Sequence, residues 1–130
     1  MTAQDVFKMA CALIAQVPED SMDLKTFSDS WLNILLEEAL PYENSIRKSQ
    51  GKEILINAPI ITQDNFNNEI DLDIKILKLA MPYGLASFFY RDDENEYVSG
   101  DYRIRFINAL NEITPIEVIQ VKDCYADSEE

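Results

Sequence analysis

Between Leu79 and Tyr90 the chain reads LAMPYGLASFFY, without a single charge, and then turns through Asp92, Asp93, Glu94 and Glu96. A second helical pattern follows, and it carries apolar residues on two separate flanks. Val98, Tyr102, Phe106, Ala109, Leu110 and Ile113 fall within about one third of the circumference. Tyr97, Ile104 and Ile107 lie on the other side, among Arg103, Arg105 and acidic residues. A small core can absorb only the first stripe, and apolar surface beyond it is normally buried against other chains. The pattern therefore predicts a helical hairpin that closes a core with one flank. The second flank, Tyr97, Ile104 and Ile107 with Arg103 and Arg105, is the expected subunit interface.

The rest of the chain sets limits on that hairpin. At 130 residues the chain fits one domain, and a 47% hydrophobic content is enough for a core. Three glycines and five prolines suit helices with short connections better than a β-sandwich. Acidic residues number 24 against 11 basic, a net charge of −13. A protein that grips phosphates needs the opposite sign, so sequence-specific nucleic-acid binding is not expected. No stretch approaches 18 consecutive apolar residues, and the N-terminus has no basic region leading into a hydrophobic run. Neither a membrane span nor a signal peptide is expected. Cys11 and Cys124 stand at opposite ends without metal or redox spacing and read as free thiols.

Thr2 and Asp5 form a capping-box pattern for a first helix carrying Val6, Met9, Ala10, Leu13, Ile14 and Val17, ended by Pro18. Asp20 or Ser21 is the expected cap of a second helix with Leu24, Phe27, Trp31, Ile34 and Leu35 as its apolar face. Leu36 and Leu40 fall off that face and call for cover from another element. Pro41 marks a break, and a short third helix over about 42–50 ends on Gly51. Residues 52–68 read as an extended, turn-rich, protruding loop with room for one short strand pair. A fourth helix is expected from Asp71, as N-cap, to about Arg91, kinked where Pro82 interrupts it and Gly84 loosens it. Ile116, Val118, Ile119 and Val121 make a β-like tail. It should pair with residues 52–62 or with a neighbouring subunit or partner, ahead of an acidic end. The expected architecture is mainly α: a bundle of about four to five helices over residues 1–113, with a strand-like tail over 114–130.

The chemistry an enzyme would need is sparse. The chain has no histidine, which removes the usual zinc ligand and every Ser-His or Cys-His dyad. It has neither phosphate-loop nor dinucleotide-binding glycines. Asp71 with Asp73, and the cluster Asp92, Asp93, Glu94 and Glu96, do not match a calcium loop. Both read as acids set against helix N-termini. No catalytic residue, cofactor or metal is expected.

The N-terminal pattern TAQDVFKMACALIAQVPED…LKTFSDSWLNILLEEALPYE and the block DIKILKLAMPYGLASFFYRDDENEYVSGDYRIRFINALNE together resemble the head–tail adaptor (connector) proteins of tailed bacteriophages, over most of residues 2–112. The resemblance implies a non-enzymatic virion protein at the head–tail junction, assembled in the host cytoplasm. It implies a homo-oligomeric ring, typically of twelve copies, beneath the portal protein, with tail or stopper proteins as further partners. A negatively charged lumen would let DNA pass without sticking, since phosphates are repelled within about 8–10 Å. A rival expectation from charge alone is a small acidic DNA mimic that inhibits a host nucleic-acid enzyme. It accounts for the net charge but not for the two-sided helices.

Overall fold

The computed structural model describes residues 1–114. It is a helical bundle of four α-helices, α1 (Ala3–Leu13), α2 (Met22–Ser49), α3 (Met81–Asp92) and α4 (Glu96–Ile113). A 3₁₀ turn (Pro18–Asp20) precedes α2, and a π-helical turn (Ile76–Ala80) runs directly into α3. Among the described residues there is no β-strand, only an isolated bridge between Thr2 and Glu69. The strand pair expected in residues 52–68 is therefore not formed. The β-like tail lies outside the described residues.

Local chemistry sets the helix ends. At the start of α1, the Asp5 N–H donates to Thr2 Oγ1 at 3.1 Å and the Thr2 N–H to Asp5 Oδ2 at 3.0 Å, the full capping box. Three helices then end on the same Schellman pair of hydrogen bonds. After α1, Gln16 N–H reaches Cys11 O and Ala15 N–H reaches Ala12 O. After α2, Lys52 bonds Arg47 and Gly51 bonds Lys48. After α3, Asn95 bonds Tyr90 and Glu94 bonds Arg91. The motif needs a left-handed residue, and Ala15 (φ 57°), Gly51 (φ 71°) and Glu94 (φ 58°) take it. Only the α2 end uses glycine. α1 thus stops at this turn, well before the proline expected to end it.

Pro41 does not break α2, which runs unbroken through it from Met22 to Ser49. Proline inside a helix costs about 3 kcal/mol. Here its ring stands exposed, and the carbonyl deprived of a donor belongs to exposed Glu37. Leu36 and Ala39 before it and Glu43 and Ile46 after it are all buried, so packing on both sides holds the helix together. Ser21 makes no side-chain cap to α2, its hydroxyl donating instead to Val17 O. The buried face of α2 also differs from the expected one. Ser28, Leu32, Leu35, Leu36 and Ala39 are enclosed, whereas Phe27 and Ile34 are about half exposed.

The connection between α2 and α3 is not a protrusion but a strap laid antiparallel along α2. Asn33 takes both backbone groups of Ile61, accepting its N–H at 2.7 Å and donating to its carbonyl at 2.9 Å. Asn44 does the same for Leu55, at 2.7 and 3.0 Å. These residues lie eleven apart, about 16 Å along one helix face, and replace a neighbouring strand for the extended chain. Gln63 bonds Lys25 O beyond one end of this pairing. At the other end Glu43, buried on α2, accepts the Asp73 N–H at 2.5 Å and Arg47 Nε at 3.2 Å, while Arg47 also reaches the carbonyls of Glu53 and Asp71. A buried carboxylate must be paired in this way. The N-cap ahead of the fourth helical pattern is accordingly Asp73, whose Oδ1 accepts Lys75 N–H at 2.8 Å, and not Asp71.

Helix α3 packs against all three others and lies at the centre of the core. Phe7 of α1 meets Phe66 of the strap edge-on at 6.3 Å and Phe89 of α3 at 6.0 Å. Gly84 lets α3 approach closely, because a Cβ there would stand 2.7 Å from Leu35 Cδ2 and 3.0 Å from Phe106 Cδ1. Just upstream, Met81 N–H bonds Ile76 O, a five-residue step. That step places Pro82, which has no N–H, at the opening of α3, where the hydrogen-bond ladder has already changed register.

Candidate functional site

Helix α4 builds one wall of the candidate site. Phe106 and Leu110 are its buried anchors, with Tyr102 half-buried between α1 and α3. Tyr102 donates its hydroxyl to Leu13 O at 3.2 Å and stacks on Tyr90 at 5.4 Å. Enclosure lifts this phenol above its ordinary titration range. With that flank fixed, the opposite flank faces outward. Tyr97 is 88% exposed and Ile104, seven residues on, is 60% exposed. Exposed Gly100 stands between them with nothing within 4 Å of where a Cβ would be. Ile107 is only half-buried and packs against the core. Of the three expected interface apolars, two stand free and the third is shared.

Both expected interface cations already have partners in their own chain. Arg103 makes a two-pronged ion pair with Glu38 of α2, which ties α4 to α2, and lies 5.4 Å over the Phe106 ring. Arg105 holds Asp101 at 3.1 Å one turn back and lies 5.6 Å over Tyr102. Their positive charge serves the protomer first.

Sequence reasoning missed a second exposed apolar surface beside the first. Trp31 stacks flat on Phe88 at 5.7 Å, and Phe27 lies tilted against it at 5.8 Å. One turn along, Ile34 borders a cleft of 540 Å³ between α2 and α4 whose walls include Glu38, Phe88, Ser99 and Arg103. This run of apolar rings and Ile34 therefore reaches the cleft beneath α4. The signal was present in the sequence: the apolar face of α2 was wider than a single packing stripe requires. On the strap, Ile54, Ile56 and Ile60 are exposed as well, at 52%, 88% and 72%. They are three outward apolar residues on the chain that Asn33 and Asn44 hold down.

The acidic turn does not serve helix N-termini as expected. Asp92 is the last residue of α3 and Asp93 its C-cap, the end where the dipole disfavours negative charge, and only Glu96 opens a helix. Asp92 and Asp93 meet Asp20 and Asp23 around a shallow cleft beside Tyr90. Among the described residues, no group of three or more Cys, Asp or Glu side chains is arranged to hold a metal ion. Cys11 is wholly enclosed, and burial raises its thiol above the usual cysteine range. Pro82 and Gly84 are buried in the bundle. The expected partner-contact residues Ile116, Val118, Ile119 and Val121 lie outside the described residues. No helix among the described residues is long and apolar enough to cross a membrane. No protein-family model, curated protein or solved structure matches the chain.

Proposed function

We infer that this chain is a non-enzymatic assembly subunit, a head–tail adaptor of a tailed bacteriophage. Copies of it would form a ring between the portal and the tail and extend the DNA channel. The observation that carries this reading is apolar surface left over once the protomer has closed its own core. Tyr97 and Ile104 stand out from α4, Ile34 and Phe88 line the cleft beside it, and Phe27 is exposed further along α2. Soluble monomers rarely leave such patches uncovered. In a closed ring, one flank of each copy meets the other flank of the next, a heterologous contact that buries both. The net charge of −13 suits a wall that DNA must slide past. Pro82, entered from the π-helical turn, is read as a bend that shapes the central helix for ring packing.

The test is electron microscopy of the full chain mixed with the portal protein encoded in the same genome. A ring of this protein seated on the portal is the expected result. A protein that ignores the portal but binds a host nuclease with one-to-one stoichiometry would replace the adaptor reading with the DNA-mimic one.

A further inference from the structure

The strap and the cleft between α2 and α4 both carry exposed apolar side chains, and they face different ways from α2. Asn33 and Asn44 project from α2 in nearly the same direction, three turns apart, and hold the strap there. Ile34 and Glu38, which line the cleft, point about 110° away around the same helix, at about 100° per residue. Asn44 binds both backbone groups of Leu55, so Leu55 is drawn toward α2 and its neighbours Ile54 and Ile56 alternate outward. This ridge is fixed before any partner arrives, which lowers the ordering cost of binding.

We propose, resting on the reading of this chain as a self-assembling subunit, that the strap of one copy seats Ile54 and Ile56 in the α2–α4 cleft of the next copy. The lengths agree. Ile54 and Ile56 lie about 7 Å apart in extended chain, and the α4 wall from Glu96 to Arg103 is about 10 Å long. The cleft it bounds holds 540 Å³. The charges agree as well. In a chain of net charge −13 this cleft is lined by two cations and two anions, so an acidic neighbour meets no excess negative charge in it. Glu38 and Arg103 pair with each other, whereas exposed Arg91 and Glu96 on the rim have no ion pair within 4 Å among the described residues. The side chains of Lys52 and Glu53, which lead into Ile54, have none either, and they bring one charge of each sign to that rim. Gly100, without a side chain, leaves the cleft open toward exposed Tyr97 and Ile104, so the apolar surface continues onto the outer flank of α4. A contact between such unlike surfaces repeats from copy to copy, as a ring requires.

Disulfide trapping in the full chain tests the contact, with Cys124→Ser as the background and Cys11 enclosed. Ile56→Cys and Gly100→Cys, both at exposed positions, are mixed in equal amounts and oxidised, with and without the portal protein encoded in the same genome. A mixed disulfide dimer is expected, on the order of tenfold in excess of either self-linked dimer, because docking raises the local concentration of the two thiols. Adding Ile54→Asp to the strap variant should abolish that excess. A strap variant that links to itself as readily would set strap against strap and overturn the proposal. A portal-bound ring that forms without the mixed disulfide would overturn it too, while leaving the adaptor reading in place. Absence of both ring and disulfide would remove both. A mixed disulfide without a portal-bound ring would uphold the strap-to-cleft contact and remove only the adaptor reading.

Discussion

Asn33→Ala removes two hydrogen bonds at once and measures what holds the strap. Each ordinary hydrogen bond contributes about 0.5–1.5 kcal/mol net, so the pair to Ile61 is worth about 1–3 kcal/mol. Ile61 is 4% exposed, so water cannot easily replace the lost partner, and the expected loss is about 2 kcal/mol. Asn44→Ala should cost less, about 1 kcal/mol, because Leu55 is only half-buried and its groups can turn to solvent. Urea unfolding should show Asn33→Ala with its midpoint about 1 M lower. If the strap instead lifts without global unfolding, amide exchange at Ile61 should accelerate about 30-fold, the same 2 kcal/mol read locally. The two sites lie about 16 Å apart, so the double variant should equal the sum within about 0.5 kcal/mol. Asn33→Asp keeps the acceptor but sets a carboxylate against the Ile61 carbonyl, and should be at least as damaging at neutral pH. A loss below about 0.5 kcal/mol with unchanged exchange at Ile61 would refute the strap as a side-chain-held element.

Three further outcomes follow from particular contacts. Gly100→Ala, in open space on α4, should stabilise by about 1 kcal/mol, while Gly84→Ala should destabilise by a similar amount, because over-packing against Leu35 and Phe106 outweighs the helix-propensity gain. Thermal melts read both, and shifts of equal sign would contradict the close approach at Gly84. Ala15→Gly and Glu94→Gly relieve left-handed residues at two Schellman ends and should each add about 0.5–1 kcal/mol, whereas Gly51→Ala should lose about 1 kcal/mol. Hydrogen bonds from the Thr2 backbone and hydroxyl hold the Asp5 carboxyl below its ordinary range. A depressed carboxyl contributes stability above its unfolded pKa of about 4 and loses it as pH falls through the folded value. Asp5→Asn should therefore be less stable than wild type at pH 7, with the gap narrowing as pH falls below about 4, so a gap that does not change with pH would rule this out.

What the sequence disclosed was mostly local. The capping box at Thr2 and Asp5 and the α2 end at Gly51 could be read because each is written within a few residues. The Ala15 and Glu94 ends could not, since neither is the glycine that the conformation favours. Pro41 misled for the opposite reason: a local breaking rule was overridden by burial at Leu36, Ala39, Glu43 and Ile46. The extended character of residues 52–62 was legible from Asn57, Pro59 and the isoleucines around them, but its destination was not, because Asn33 and Asn44 act from a distant helix. In the candidate interface, the helical period located Tyr97 and Ile104 correctly on the outer flank. It could not show that Arg103 is bound by Glu38, or that Phe27 and Ile34 stand outside the core. Those facts depend on how α2, α3 and α4 pack together.

Sedimentation velocity of the full chain with the portal protein proposed as its partner, comparing wild type with the double substitution Tyr97→Asp and Ile104→Asp, bears most directly on the assembly claim. Both positions are exposed, so the double variant should keep its helical circular dichroism, while Phe106→Asp, at a position with no exposure, serves as the unfolding control. Wild type should enter a ring-sized species, and the double variant should remain folded at the 14.9 kDa of one chain. If the double variant enters that species as readily as wild type, the outer flank of α4 does not join one copy to the next.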